Sequence, residues 1–259
     1  MNYADQLKQA LGNRPFRYYE QIDSTNNLAL EWIDQGAPYG ALLIANEQLK
    51  GRGRLGRFWH TPPDVAIAMS LILNPQSNHF LSRIALLAGL VVVESLEQAY
   101  PALQPHLAIK WPNDVYLSGK KLCGILPEAK WSGDQLAGIV LGIGLNIRNE
   151  LSPELSTIAT TLESFTQTRV NRANLIQLIC QRMDERLPYI ESDQWMQAYK
   201  SREITLGNPV EAHLTQGHSM IGVAHDINQE GALMIKTDTE IITLMAGEVT
   251  LKRDHNGRD

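Results

Sequence analysis

The sequence predicts an α+β fold, a mainly antiparallel sheet with helices followed by a small β-barrel, and three features carry that prediction. From Leu107 to Ile147, apolar runs follow one another through turns too short for crossover helices, which marks an antiparallel meander. Stretches of helical composition, above all Leu81 to Tyr100, flank that meander. After about Ile204 the pattern changes to short strands punctuated by Gly217, Gly231 and Gly247, as expected of a small closed barrel appended to a larger layer. The expected division is a larger unit over 1–203, a barrel over 204–254 and a tail over 255–259.

Residues 2–12 read as a helix closed by Gly12, and Phe16 to Gln21 as a strand. Ile22-Asp23-Ser24-Thr25-Asn26-Asn27 supplies side-chain oxygens to cap a helix that runs to about Gln35 and stops at Gly36. Ser24 is the N-cap candidate, and the same hydroxyls and exposed N–H groups can face a ligand. Tyr39 to Asn46 is a buried strand that delivers Gln48 at its end. Thr61-Pro62-Pro63-Asp64 forbids helix, and Val65 to Leu73 is the next strand. The helix Leu81 to Tyr100 is apolar nearly all round between Ile84 and Val93, which places it centrally in the core, and Pro101 and Pro105 end it.

The meander begins with the strand Leu107 to Lys110 and the turn Trp111-Pro112-Asn113-Asp114. Val115 to Leu117 pairs through Ser118-Gly119 with Leu122 to Leu126, and a second hairpin turns at Ser132-Gly133-Asp134 into Leu136 to Ile147. Asn171 to Pro188 and Ser192 to Arg202 have helical composition and are expected to cover one sheet face. The barrel strands are Pro209 to His213, Ser219 to Ala224, Ala232 to Lys236, Glu240 to Leu244 and Val249 to Lys252.

With 259 residues, of which 44% are hydrophobic, the chain can build a sizeable core. Its longest apolar run is too short to span a bilayer and Met1 to Gln6 opens a polar helix, so no membrane and a cytoplasmic location are expected. Cys123 and Cys180 lie far apart and outside any CxxC pair, as structural thiols do. His213, His218 and His225 lack a metal-ligand spacing, and no metal ligands are assigned.

Against a net charge of -5, one stretch stands out. Gly51-Arg52-Gly53-Arg54-Leu55-Gly56-Arg57-Phe58-Trp59 interleaves three glycines with three arginines. Glycine lets backbone N–H groups come close to an anion, and guanidinium forks grip carboxylate or phosphate. Such a loop is expected to order over an anionic ligand. Its GxGxxG spacing does not make it a dinucleotide fold, because Pro62 and Pro63 remove the helix that fold requires. Lys110 ends an apolar strand before a rigid turn, which aims it. Gly124, Gly142 and Gly144 interrupt apolar strands, where glycine marks close approach of a ligand or another backbone. With Asn146 at its rim, the pair of strands is expected to form a narrow apolar slot.

Ser24-Thr25-Asn26, Gln48, the Gly51 to Trp59 loop, Lys110-Trp111-Pro112-Asn113-Asp114, Lys121-Leu122-x-Gly124-Ile125-Leu126 and Gly142-Ile143-Gly144-x-Asn146 occur in the order seen in biotin protein ligases. The chain resembles that family from about residue 16 to 150. The resemblance implies a class II synthetase-like catalytic domain over 1–203 and an SH3-like terminal domain. It also implies activation of biotin with ATP and Mg2+ to biotinyl-5′-adenylate, then transfer to a lysine of a biotin carboxyl carrier protein, the acetyl-CoA carboxylase subunit. A homodimer is compatible with it.

By resemblance, Lys110, Arg52 and Arg54 are the catalytic cations. Ser24, Thr25, Asn26, Gln48, Arg52, Gly53, Arg54, Lys110, Gly124 and Gly144 fall to biotin. Arg52, Arg54, Arg57, Trp59, Asn113 and Asn146 fall to ATP and the adenylate. Leu55 stands where some members carry another arginine, and Pro127 suggests an edge or a bulge. The chain begins close before Ser24, so a ligase without repressor activity and without DNA binding is expected. A lipoate-protein ligase is the related alternative, and a Gly/Arg-loop nucleic-acid-binding module is the alternative of another class, disfavoured by the acidic charge.

Overall fold

The computed structural model describes residues 1–74, 81–213, 219–245 and 247–251. The barrel turn around His218, the last residue of the expected final strand, Lys252, and the tail lie outside the described residues. Helix α1 (Tyr3–Leu11) is capped by Asn2, whose side chain accepts from Asp5 N. Strand β1 (Phe16–Ile22) leads into α2 (Thr25–Asp34). Strands β2 (Leu42–Gln48) and β3 (Ala66–Leu73) follow, on either side of the arginine loop. Strand β2 starts later than predicted because Gly40, at φ +82, and the bond from Ala41 N to Pro38 O make a turn there.

Helix α3 (Leu81–Ala99) ends in a short 3-10 turn over Pro101–His106. Strands β4 (Leu107–Lys110), β5 (Asp114–Leu117), β6 (Lys120–Ser132) and β7 (Gln135–Asn146) then form the predicted meander, with β6 longer than expected at both ends. The large sheet has order β1-β2-β3-β7-β6-β5-β4, and only the described pair β1–β2 is parallel. Strand β5 pairs with β6 only from Lys120 to Gly124, so Pro127 lies beyond the end of β5 in a stretch paired with β7, an edge rather than a bulge.

Two short helices, α4 (Pro153–Ile158) and α5 (Leu162–Thr166), were not foreseen. Each is capped by a hydroxyl residue, Ser152 and Thr161. Helices α6 (Arg172–Arg186) and α7 (Gln194–Lys200) complete the layer. Strand alternation divides the core between two faces. Leu42, Ile44, Met69 and Leu141 join the main cluster with α3 and α6, whereas Leu43, Ile72 and Val140 meet Ala29 and Trp32 of α2. Both faces of the sheet are therefore covered.

Strands β8 (Pro209–His213), β9 (Ser219–Ile227), β10 (Leu233–Lys236), β11 (Ile241–Leu244) and β12 (Glu248–Leu251) form a second antiparallel sheet of order β11-β10-β9-β8-β12. Among the described residues its hydrogen-bonded order ends at β11 and β12, and residues 246 and 252–259 beside these two strands lie outside the described residues. The sheet is fastened to the large layer by backbone bonds between Ile109 and the chain at 202–204, and by Trp111 Nε1 donating to Gly231 O at 3.0 Å. Among the described residues, no helix is long and apolar enough to cross a membrane.

Candidate active site

The start of α2 is capped in an unexpected way. Ser24 is the N-cap in extended geometry, but its hydroxyl makes no cap bond. The orphan donor at the helix start is taken instead by Gln48 at the end of β2, whose Oε1 accepts from Thr25 N at 2.8 Å and Thr25 Oγ1 at 3.1 Å. Gln48 Nε2 donates in turn to Thr61 Oγ1 at 3.2 Å. Beside this, Ser70 Oγ donates to Asn26 Oδ1 at 2.6 Å. These polar groups are buried and tied to one another.

The arginine loop is a narrow hairpin. Gly53 N donates to Arg57 O and Trp59 N to Gly51 O, both at 2.8 Å, around a tight turn over Arg54–Gly56. It leads through Thr61-Pro62-Pro63-Asp64 into β3, not into a dinucleotide-type helix. Trp59 is the anchor. Gly124 and Gly144 are direct partners across β6 and β7, and the Trp59 indole lies on both. A Cβ at Gly144 would collide with the indole, and one at Gly124 would come 3.1 Å from its Cζ3. The strand glycines therefore make room for a side chain of the loop, where the sequence suggested a ligand or a backbone. Gly142 likewise admits the amide of Asn26.

The arginines reach to distant elements. Arg52 Nη2 lies 2.6 Å from Glu128 Oε2 of β6. Arg54 donates to Asn113 Oδ1 at 3.0 Å and to Gly247 O of the second sheet. Lys110 Nζ lies 5.8 Å from the centre of the Tyr116 ring, and burial pushes the Tyr116 hydroxyl up to about 12. The next residue, Trp111, is 2% exposed, and its N–H donates to Glu203 Oε1 at 2.9 Å. That bond and the Gly231 contact fix the backbone that carries Lys110. Asn146 Nδ2 donates to Thr160 O and its Oδ1 accepts from Asn149 Nδ2.

A cavity of about 460 Å³ collects these groups. Ser24, Thr25, Asn26, Gln48, Arg52, Gly53, Arg54, Arg57, Trp59, Lys110, Asn113, Gly124, Gly144 and Asn146 all line it, so every residue singled out in the sequence comes to one place. The sequence placed Lys121 in a motif but gave it no role; its Nζ pairs with Asp114 at 2.7 Å and lies 5.6 Å from the centre of the Trp59 ring. Nor did it point to Leu155 and Ile158 of α4 at the mouth, or to Gly247 and Val249 from the second sheet. Among the described residues, no group of three or more His, Cys, Asp or Glu is placed to hold a metal ion.

The chain matches the family described as "Biotin/lipoate A/B protein ligase family" over residues 18–146. It is 31% identical to the bifunctional ligase/repressor BirA of Bacillus subtilis over 252 residues, 95% of this chain and 76% of that one. It is 30% identical to the biotin–[acetyl-CoA-carboxylase] ligase of Mycobacterium tuberculosis, covering 92% of this chain and 89% of the relative. Among solved structures, the biotin protein ligase of Aquifex aeolicus in complex with biotin and ATP superposes with a TM-score of 0.78 at 30% identity, over 93% of this chain and 99% of that one. Fold and sequence together define a ligase of the acyl-transferring kind. The chain belongs to the biotin/lipoate A/B protein ligase family.

Proposed function

We propose that the cavity binds biotin with its head on the Thr25–Gln48 floor and its carboxylate under the arginine lid, with ATP alongside. The chain is a biotin–protein ligase. A carboxylate oxygen of biotin attacks the α-phosphorus of ATP, the bond to pyrophosphate breaks, and biotinyl-5′-adenylate forms. An acceptor lysine amine then attacks the acyl carbon and AMP leaves. The first step brings anions together, so its barrier falls where fixed positive charge meets the developing negative oxygens.

Lys110, Arg52 and Arg54 supply that charge, Lys110 between carboxylate and α-phosphate and the arginines from above. Ser24, Thr25, Asn26 and Gln48 hydrogen-bond the biotin head, with Gly53, Gly124 and Gly144 keeping the backbone close. Arg57, Trp59, Asn113 and Asn146 serve the nucleotide. Trp59 Nε1 is buried without a hydrogen-bond partner, a donor that a bound ligand atom satisfies. Mg2+ would enter with ATP and neutralise phosphate charge, and Asp114, a carboxylate in the cavity lining, would be the residue to help hold it. Closure of the lid keeps water from the mixed anhydride.

The single observation that carries this reading is the convergence on one cavity of the residues that the motifs assign to biotin and ATP. The catalytic unit is assigned to 1–203 and the second sheet, as an SH3-like domain, to 204–254. The acceptor is a biotin carboxyl carrier protein of acetyl-CoA carboxylase, met in the cytoplasm. The test incubates the purified protein with biotin, MgATP and a carrier domain and measures the carrier's intact mass. A gain of one biotinyl group with release of pyrophosphate is expected; no gain rejects the assignment, and gain with lipoate alone selects the other branch of the family.

A further inference from the structure

Arg52 belongs to a hairpin with few apolar contacts, yet the reaction needs its guanidinium over the cavity. It is held from behind. Arg52 Nη2 lies 2.6 Å from Glu128 Oε2, and the same oxygen accepts a hydrogen bond of 2.6 Å from Asn26 Nδ2. Asn26 is itself locked, since its Nδ2 also donates to Leu126 O at 3.1 Å and its Oδ1 accepts from Ser70 Oγ. One carboxylate oxygen thus ties together the lid, β6 and the start of α2. Arg52 and Asn26 line the cavity; Glu128 is not among its lining residues.

Resting on the biotin-activating reading of this site, we infer that Glu128 is a positioning residue for the first half-reaction. It sets the direction of the Arg52 guanidinium and the orientation of the Asn26 amide. A charge-assisted bond orients more strongly than a neutral one, and Arg has much rotamer freedom to lose. Engaging Nη2 alone leaves the rest of the fork for the substrate's anionic end. A carboxylate inside the cavity would repel that anion, whereas one behind the guanidinium orients it without lining the binding space.

The test measures adenylate formation and thermal unfolding for full-length Glu128→Gln, Arg52→Gln and the double variant, with biotin and MgATP. Glu128→Gln keeps an acceptor for Asn26 and loses the charge that faces Arg52. The KM for biotin is expected to rise about tenfold while kcat changes less than about threefold, the pattern of lost binding that is shared by ground and transition states. In the Arg52→Gln background the same substitution is expected to add almost nothing, because the pair acts as a unit. A wild-type KM, a lowered KM, or an equal increment in both backgrounds overturns the role, leaving Glu128 as a surface ion pair. Should Glu128→Gln lower the unfolding midpoint, the double variant still decides, since a purely structural loss persists without Arg52. Wild-type turnover with an unaffected Glu128→Gln overturns this inference alone; absence of adenylate from the wild type overturns the biotin reading with it.

Discussion

On the floor of the cavity, Thr25, Asn26, Gln48, Thr61 and Ser70 are neutral side chains at most 8% exposed, bonded to one another except where Asn26 also reaches Leu126 O and Glu128, whereas the lid carries three arginines and reaches outward to Glu128, Asn113 and Gly247. The floor's bonds are made within the protein before any ligand is present, so it acts as a pre-formed template. A ligand of the wrong shape must leave some of those buried groups unpaired, which is how a floor of this kind selects. The lid works through charge, and its anchors come from β6, the turn before β5 and the second sheet. Its position thus depends on several elements at once. Binding the head and holding the intermediate are therefore separable tasks.

The largest effect is expected where floor and lid meet. Lys110→Ala should lower pyrophosphate release by about 10²–10³-fold, the cost of removing one preorganised electrostatic donor. Near-normal release with impaired transfer to the carrier would break the idea that both regions serve one reacting centre. On the floor, Gln48→Ala strips partners from Thr25 N, Thr25 Oγ1 and Thr61 Oγ1. We expect a loss of about 1–3 kcal/mol in urea unfolding together with a raised KM for biotin. A KM shift confined to ATP would move the head of biotin away from this floor.

The lid should respond differently. Arg54→Gly removes the bonds to Asn113 and Gly247 and is expected to leave adenylate synthesis within about tenfold of wild type, because Arg52 and Lys110 remain. Retention of the adenylate through gel filtration should nevertheless fall sharply. Retention equal to wild type would show that the lid does not guard the intermediate.

The contrast also explains what the sequence could tell. Turn and cap residues act locally, so Gly12, Gly36 and the Ser118-Gly119 turn marked their elements correctly. The site residues were legible because Gly/Arg alternation and a lysine at a strand end are chemically odd choices for a surface. Partners across long distances were not legible. Gly124 and Gly144 read as places where a ligand or a backbone comes close, yet their occupant is the side chain of Trp59, brought from another part of the chain. Glu128 looks like any strand carboxylate until β6 is set beside the lid. Helices α4 and α5 are too short to display an apolar period, and their hydroxyl caps, Ser152 and Thr161, were the one local signal that could have found them. Spacing gives the strands of the second sheet, not whether the last one meets the first.

Salt offers the mildest way to separate the two regions. Raising KCl from about 0.1 M to about 1 M shortens the Debye length from about 10 Å to about 3 Å, which weakens part-exposed ion pairs and leaves buried neutral bonds nearly unchanged. The Arg52–Glu128 side chains are 39% and 24% exposed, so they stand within reach of the counterions, while Thr25 and Gln48 do not. Adenylate retention is expected to fall a few-fold over that range with a nearly constant unfolding midpoint, a difference read by gel filtration and thermal unfolding side by side. Because Arg54→Gly has already loosened the lid, its retention should depend less on salt than that of the wild type. If retention stayed constant while the KM for biotin rose, the salt-sensitive contacts would lie on the floor, and the division between a neutral template and a charged lid would fail.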